Sequence, residues 1–244
     1  MKLTARTVTN YILFAFLFTS VCMIFGRAAV KFATDDVTQV SVQSEAPVFL
    51  IDPGHGGEDG GAEASGVLEK DLNLTVARNL ADICTILGHN VSLTRNSDTM
   101  LYDAYQDLED YTGKKKTYDL RNRLRMGEES GAALFIGIHM NKFPREQYKG
   151  LQVYYSKNTA ESESAARLIQ NYTKTHIMPW NDREIKPSTS AIYILHRIQV
   201  PAVLVECGFL SNPGERQLLT EQAYQVKLAS SIFAASAEWL TAQN

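Results

Sequence analysis

Short, wholly apolar runs alternate along this chain with longer stretches in which apolar residues recur every three or four positions. Val48-Phe49-Leu50-Ile51 is one such run, and it stops at Asp52-Pro53-Gly54. Leu72, Val76, Leu80, Ile83 and Leu87 then follow a 3.6-residue period, which predicts a helix closed by Gly88. Further strands are expected at Asn90–Thr94, Ala133–Ile138, Leu151–Tyr155 and Ala202–Val205, with a short apolar segment at Ile192–Leu195. Helices are expected over Asp119–Glu129 and Ala160–Thr175, and one or two more near the C-terminus, the last carrying Leu228, Ile232, Ala235 and Trp239. Runs that are apolar throughout suit strands covered on both faces. The alternation predicts a single α/β domain with a central twisted, mainly parallel sheet and helices on both faces. A polar stretch, Asn96 to Tyr118, interrupts the pattern and is longer than most connections in a compact domain. Its Tyr102, Tyr105, Tyr111 and Tyr118 suit either a lid over a substrate or a surface segment with a short helix of its own.

The first 46 residues stand outside that pattern. Lys2 and Arg6 precede an uncharged run, Tyr11 to Phe25, which is followed by Gly26, Arg27 and Lys31. A positive start and an apolar stretch make a secretory signal or an N-terminal membrane anchor. The run is shorter than the ~20 residues that span a bilayer, but it extends back through Val8, or forward to Val30 if Arg27 snorkels. Without a good Ala-x-Ala cleavage site, an uncleaved anchor is expected ahead of a cleaved signal. The expected organisation is a signal or anchor segment (1–32), a linker (33–46) and a folded domain (47–244), the last exported and tethered to the membrane or released from it.

Composition narrows the function classes. A net charge of −3, with Lys114-Lys115-Lys116 as the one compact basic run, argues against a nucleic-acid partner. Three cysteines make no disulfide framework and no Cys-x-x-Cys pair. Cys22 lies in the N-terminal apolar run, Cys84 in a helical pattern and Cys207 beside a glutamate.

In a parallel sheet, ligands gather beyond the carboxyl ends of the strands. Three strands of this chain deliver ionisable groups there: His55 within Asp52-Pro53-Gly54-His55-Gly56-Gly57, His139 in His139-Met140-Asn141, and Glu206 in Glu206-Cys207-Gly208. Glu69 starts the first long helix, which leads back from the same edge. Singly, each has a plain structural explanation; a glutamate at a helix start, for instance, complements the helix dipole. Together, two histidines and two glutamates are what a catalytic zinc requires. Two imidazoles and a carboxylate hold the ion and leave a position for water, and a second carboxylate moves the proton. Spacing does not say which glutamate does which. Glu206 follows Pro-Ala-Val-Leu-Val, where an unpaired carboxylate is costly. A cysteine hydrolase built on Cys207 is the weaker alternative.

Ile51-Asp52-Pro53-Gly54-His55-Gly56-Gly57 with the later Glu69, Ile136 to Asn141, and Val203 to Asn212 resemble the zinc-dependent N-acetylmuramoyl-L-alanine amidases, over Val48 to Leu240. The resemblance implies one Zn2+ per chain on His55, Glu69 and His139, with Glu206 catalytic. It also implies a peptidoglycan glycan strand with its peptide stem as substrate, cut between N-acetylmuramic acid and L-alanine. Thr94-Arg95 with Asp98, and Arg121, resemble structural and substrate-side elements of that family. Met140 stands where members often carry alanine and is expected to reshape the cleft beside the metal.

The anchor, Phe143-Pro144 to Ser156, and Ile194-Leu195 to Glu206 are similar to the spore-cortex, germination-specific amidases of endospore formers. This implies removal of peptide stems ahead of muramic-δ-lactam formation, at the outer face of the membrane, in the wall or in the forespore intermembrane space. A peptidoglycan deacetylase acting next, or an accessory protein, would be a partner. Competing readings are another zinc hydrolase of the wall, a partner-dependent amidase, and a wall-binding scaffold of the same fold. Arg183 or Lys186 is expected to meet a peptide carboxylate. His89, after Gly88 at a helix end, is expected at the surface or as a partner of the helix C-terminal dipole, His176 in core packing, and His196 near the groove.

Overall fold

The computed structural model describes residues 48–243. The anchor and linker expected over 1–46 lie outside the described residues, as does Cys22. No described helix is long and apolar enough to cross a membrane.

Among the described residues, eight strands and six helices follow one another. They are β1 (Phe49–Pro53), β2 (Glu63–Ala64), β3 (Val67–Leu68), α1 (Glu69–Ile86), β4 (Val91–Leu93), α2 (Lys115–Glu129), β5 (Leu134–Asn141) and β6 (Gln152–Tyr155). Then come α3 (Ala160–His176), β7 (Lys186–Pro187), α4 (Tyr193–Arg197), β8 (Ala202–Phe209), α5 (Pro213–Thr220) and α6 (Gln222–Thr241). Six strands form the central sheet in the order β4-β1-β5-β8-β6-β7, while β2 and β3 pair as a small ribbon.

The sheet is mixed: four of its five strand pairings are parallel, in line with the expectation of a mainly parallel sheet, and one is antiparallel. β4, β1, β5 and β8 run parallel, but β6 is antiparallel to β8 and β7 follows β6. A parallel return needs a crossover, usually a helix. The connection 142–151 between β5 and β6 has no helix, so the chain turns at the same edge and comes back reversed.

Period-two alternation splits the central strands between two cores. Phe49, Ile51, Ile136, Ile138, Met140, Val203, Val205 and Cys207 join one cluster with Val76, Leu80 and Cys84 of α1, Ile169 of α3, and Ile232 and Trp239 of α6. Leu50, Phe135 and Ala202 join the other, with Ile194, Leu195 and Ile198, and with Leu120 and Leu124 of α2 packed against it. Asp52, Gly137, His139, Leu204 and Glu206 share this second face by the same alternation. Met140 therefore faces away from the cleft. It is buried in the larger core, which corrects the expectation that its side chain shapes the site. The segment expected at Ile192–Leu195 is the short helix α4, which covers the second face.

Candidate metal centre

The loop after β1 is built for a tight approach. His55 has φ 60° and Gly56 φ 135°. A histidine in the left-handed region is uncommon, and such backbone costs of order 1–3 kcal/mol, held only where surroundings over-determine it. Two buried arginines do so here. Arg123 donates to the carbonyls of Pro53 (2.8 Å) and His55 (2.6 Å). Arg95 donates to the carbonyls of Pro53 (2.9 Å), Gly54 (2.9 Å) and Lys70 (3.0 Å). Glycine is also needed for space: a Cβ on Gly54 would sit 2.1 Å from His139 Cε1, and one on Gly61 2.6 Å from Glu69 Oε2.

Within this frame His55, Glu69 and His139 converge, each offering a ligand atom within 4.8 Å of the others. Glu69 Oε1 lies 3.3 Å from His55 Nε2 and 3.0 Å from His139 Nδ1. It also accepts from the Met140 amide (3.1 Å) and Asn73 Nδ2 (3.3 Å), while Oε2 accepts from the Ala62 amide (2.7 Å). Asp59 Oδ2 stands 2.9 Å from His55 Nδ1, fixing the ring so that Nε2 faces the cluster. A carboxylate behind a histidine is the usual outer support of a metal ligand.

Electrostatics follow from these contacts. Burial works against ionised Glu69, yet hydrogen bonds from His139 and His55 hold its carboxyl far below the usual range. Burial likewise opposes charge on His55, but Asp59 and Glu69 outweigh it and raise its pKa to about 9. The hydrogen bond to His55 holds Asp59 low. Two imidazoles and a permanently ionised carboxylate, one imidazole oriented from behind, fit a divalent cation that prefers nitrogen and oxygen ligands.

Glu206 is the register partner of His139 across β5 and β8. Burial raises its pKa to about 7, partly opposed by His139. Its Oε2 is buried and has no hydrogen-bond partner within the protein. Glu206 and His139 line the same cavity, so the four site residues expected from the sequence meet at one edge.

The sequence profile of the family described as N-acetylmuramoyl-L-alanine amidase matches residues 49–237. The chain belongs to that family. This amidase is 38% identical over 193 residues to the germination-specific N-acetylmuramoyl-L-alanine amidase of Bacillus subtilis (strain 168), covering 79% of each chain. It is also similar to the CwlD amidase from Clostridioides difficile, solved in complex with the GerS lipoprotein. That match has TM-score 0.74 and 36% identity, over 80% of this chain and 99% of that one. An N-acetylmuramoyl-L-alanine amidase from Clostridium difficile 630 matches with TM-score 0.69 and 28% identity, over 82% and 99%.

Other candidates fall elsewhere in the amidase. Cys207 lies in the apolar core on the opposite face from Glu206, with burial pushing its thiol up, so it meets neither histidine. His176 is exposed and stacks on Tyr172, which corrects its expected core role: its helix face points outward at the C-terminus of α3. His89 is half-buried between the rings of Phe49 and Phe233 instead of lying at the surface. His196 is exposed on α4. Arg183 donates to the Lys149 carbonyl and to Gln152 and lies over the Phe209 ring, and Lys186 is exposed in β7. Tyr111 packs edge-on against both Tyr102 and Tyr118. Arg121 lies over Tyr118, whereas Arg123, two residues on, is the buried one.

Sequence reasoning missed Arg123, Asp59 and Asn73, and also Lys116, whose ammonium pairs with Asp59 at 3.2 Å. A spacing signal existed for one of them: Asp119 precedes Arg123 by four on a helix, whereas Asp59 follows His55 by four within a loop, where that spacing implies no contact.

Proposed function

We propose that the chain is a zinc-dependent amidase that removes peptide stems from peptidoglycan by hydrolysing the bond between N-acetylmuramic acid and L-alanine. His55, Glu69 and His139 hold the ion in this reading, and Glu206 carries the proton. The observation that supports it most is the convergence of the three donor groups within 4.8 Å, next to a glutamate with an unpartnered buried oxygen. Zinc bound there supplies Lewis acidity, lowering the pKa of a water towards ~7 and polarising a carbonyl.

The protein's own part in the reaction belongs to Glu206. A carboxylate with pKa about 7 takes a proton readily near neutral pH and releases it as readily. It receives one from the attacking water and delivers it to the L-alanine nitrogen as the C–N bond breaks. Asp59 orients His55, and Asn73 with the Met140 and Ala62 amides fixes Glu69. Arg95 and Arg123 hold the His55 loop in its left-handed turn.

Spore cortex is the substrate in this reading, with muramic-δ-lactam formation by a peptidoglycan deacetylase following; the similarity to a germination-specific amidase supports it. An accessory lipoprotein is an expected partner, because the similar CwlD amidase was solved with one. The protein acts outside the cytoplasm, tethered through its N-terminal segment, as the charge pattern of residues 1–32 supports.

Digestion of cortex and vegetative peptidoglycan by the full chain, with and without zinc, tests the reading by mass spectrometry of the products. Zinc-dependent release of stems with a free L-alanine amine, faster from cortex, is the expected result. Zinc-independent release, or cleavage elsewhere in the wall, would remove it.

A further inference from the structure

Arg95 and Arg123 grip the loop after β1 up to His55, and the turn beyond His55 is held from another side. Gly56 and Asp59 exchange two backbone hydrogen bonds, at 2.9 and 3.0 Å, which close a turn over Gly57 and Glu58. Gly57 stands in the left-handed region at φ 55°. Both of its backbone polar groups are taken by side chains from elsewhere in the chain. Its N–H donates to Asp98 Oδ1 (2.7 Å), and its carbonyl accepts from Lys70 Nζ (2.8 Å). Lys70 Nζ also donates to Asp98 Oδ2 (2.7 Å), so the three residues form a closed ring.

Lys70 is not where local preference would put it. It is the second residue of α1, and the helix dipole opposes a cation at a helix N-terminus. Its side chain is 12% exposed, against 48% for Asp98. An ammonium that gives up most of its hydration needs the partners it has found, the Gly57 carbonyl and Asp98. The ring joins three segments: the loop after β1, the start of α1 and the stretch 96–118. Gly57 comes two residues after His55 and Lys70 one after Glu69, so the ring ties the chain beside one candidate ligand to the chain beside another. The turn it holds leads directly to Asp59, whose Oδ2 stands 2.9 Å behind His55 Nδ1.

We propose that Lys70 and Asp98 are positioning residues of the metal centre. By holding the N–H and the carbonyl of Gly57 they fix the turn that sets Asp59 behind His55, and so raise the affinity of the site for zinc. The inference rests on the reading of His55, Glu69 and His139 as zinc ligands. Charge alone predicts the opposite for one of the pair. Lys70 is a cation beside a site for a cation, so acting through its field it would weaken zinc binding, and its removal would tighten it. Acting through Gly57, its removal loosens zinc binding, as does removal of Asp98.

The test measures zinc affinity of the full chain by competition with a chelator. The unfolding temperature of the metal-free protein and hydrogen exchange of the amides of 56–61 are read alongside. Asp98→Ala and Lys70→Met should each weaken zinc binding by about tenfold, the low end of what loss of an outer partner costs. The amides of 56–61 should exchange faster in both. The metal-free unfolding temperature should fall little, since a partly exposed ion pair contributes little to global stability. The double variant should bind zinc no more weakly than the weaker single one, because loss of either residue opens the ring. Lys70→Arg, which keeps a cation with several donors, should recover most of what Lys70→Met loses. Tighter zinc binding in Lys70→Met would overturn the proposal, as would unchanged affinity in Asp98→Ala or additive losses in the double variant. So would a fall in affinity that tracks a fall in metal-free unfolding temperature, since the pair would then hold the fold and not the turn. If Lys70→Met does not fold, Asp98→Ala with the exchange measurement decides alone. A wild type that binds no zinc would remove the ligand assignment itself, whereas a zinc-binding wild type with unaffected variants removes the positioning role alone.

Discussion

The two faces of the central sheet are made by the same strands and behave in opposite ways. On one face, residues from β1, β5 and β8 pack with α1, α3 and α6 into a closed apolar core that includes both described cysteines. On the other, the intervening residues of those strands carry Asp52, His139 and Glu206, beneath a thinner cover of α2 and α4. A shift of one residue along a strand moves a side chain from one role to the other. Charge is tolerated on the second face because it is paired or waiting for a partner. Asp52 is answered by Arg123, and Glu69 by two histidines and two amides. Glu206 alone among these keeps an unpartnered buried oxygen.

Breaking the pairs on the polar face should cost most. Arg123→Met leaves Asp52 and Asp119 buried without their cation, and loss of one partner of a buried pair costs about 3–5 kcal/mol. The expected result in denaturant unfolding is a drop of that size, with the His55 loop loosened and activity lost with it. On the apolar face, Leu80→Ala removes a fully buried side chain from the core, at about 2–5 kcal/mol. There, zinc content and turnover per folded molecule should stay at wild-type values. A fall in zinc affinity matching the stability loss would mean that the two faces are not separable.

That division also explains what was legible in the sequence. Strand positions were readable because both faces are covered, but β5 and β8 run on to Asn141 and Phe209, past the points where an apolar reading stops. His139 and Glu206 look like loop residues because they interrupt the apolar runs. In fact they are strand residues on the second face, while Met140 and Cys207 continue the first. The convergence of His55, Glu69 and His139 was readable from strand ends, and their roles only from resemblance to a family. The reversal of β6 was not readable, because no residue type marks it. For Arg123 the spacing from Asp119 marks a helical ion pair but not its burial, since a charged residue on an amphipathic helix looks the same buried or exposed until its other partners are placed.

Smaller effects sharpen the comparison within the site. Asp59→Asn keeps the shape behind His55 and removes the charge. Loss of such an outer partner typically weakens metal affinity by about 10–100-fold, which competition with a zinc chelator would measure. The wild type should show a pH signature of the same pair. His55 has its pKa raised from 6.5 to about 9, so its ion pairs stabilise the metal-free protein fully below pH 6.5, and that stability is lost as pH rises through about 9. Zinc needs the neutral ring. Its affinity should therefore climb over the same window, by up to about tenfold per pH unit as one proton is displaced. A flat profile there would mean that His55 is not a ligand.

The most direct test of the central claim is Glu206→Gln in the full chain, with zinc stoichiometry, thermal stability and release of the L-alanine amine measured on one preparation. Removing a proton carrier should lower turnover by about 10²–10⁴-fold. Zinc should remain at one ion per chain, and the melting temperature should hold or rise, since a carboxylate with one unpartnered buried oxygen has been replaced by a neutral amide. Turnover within a few-fold of wild type, or loss of zinc together with activity, would contradict the account.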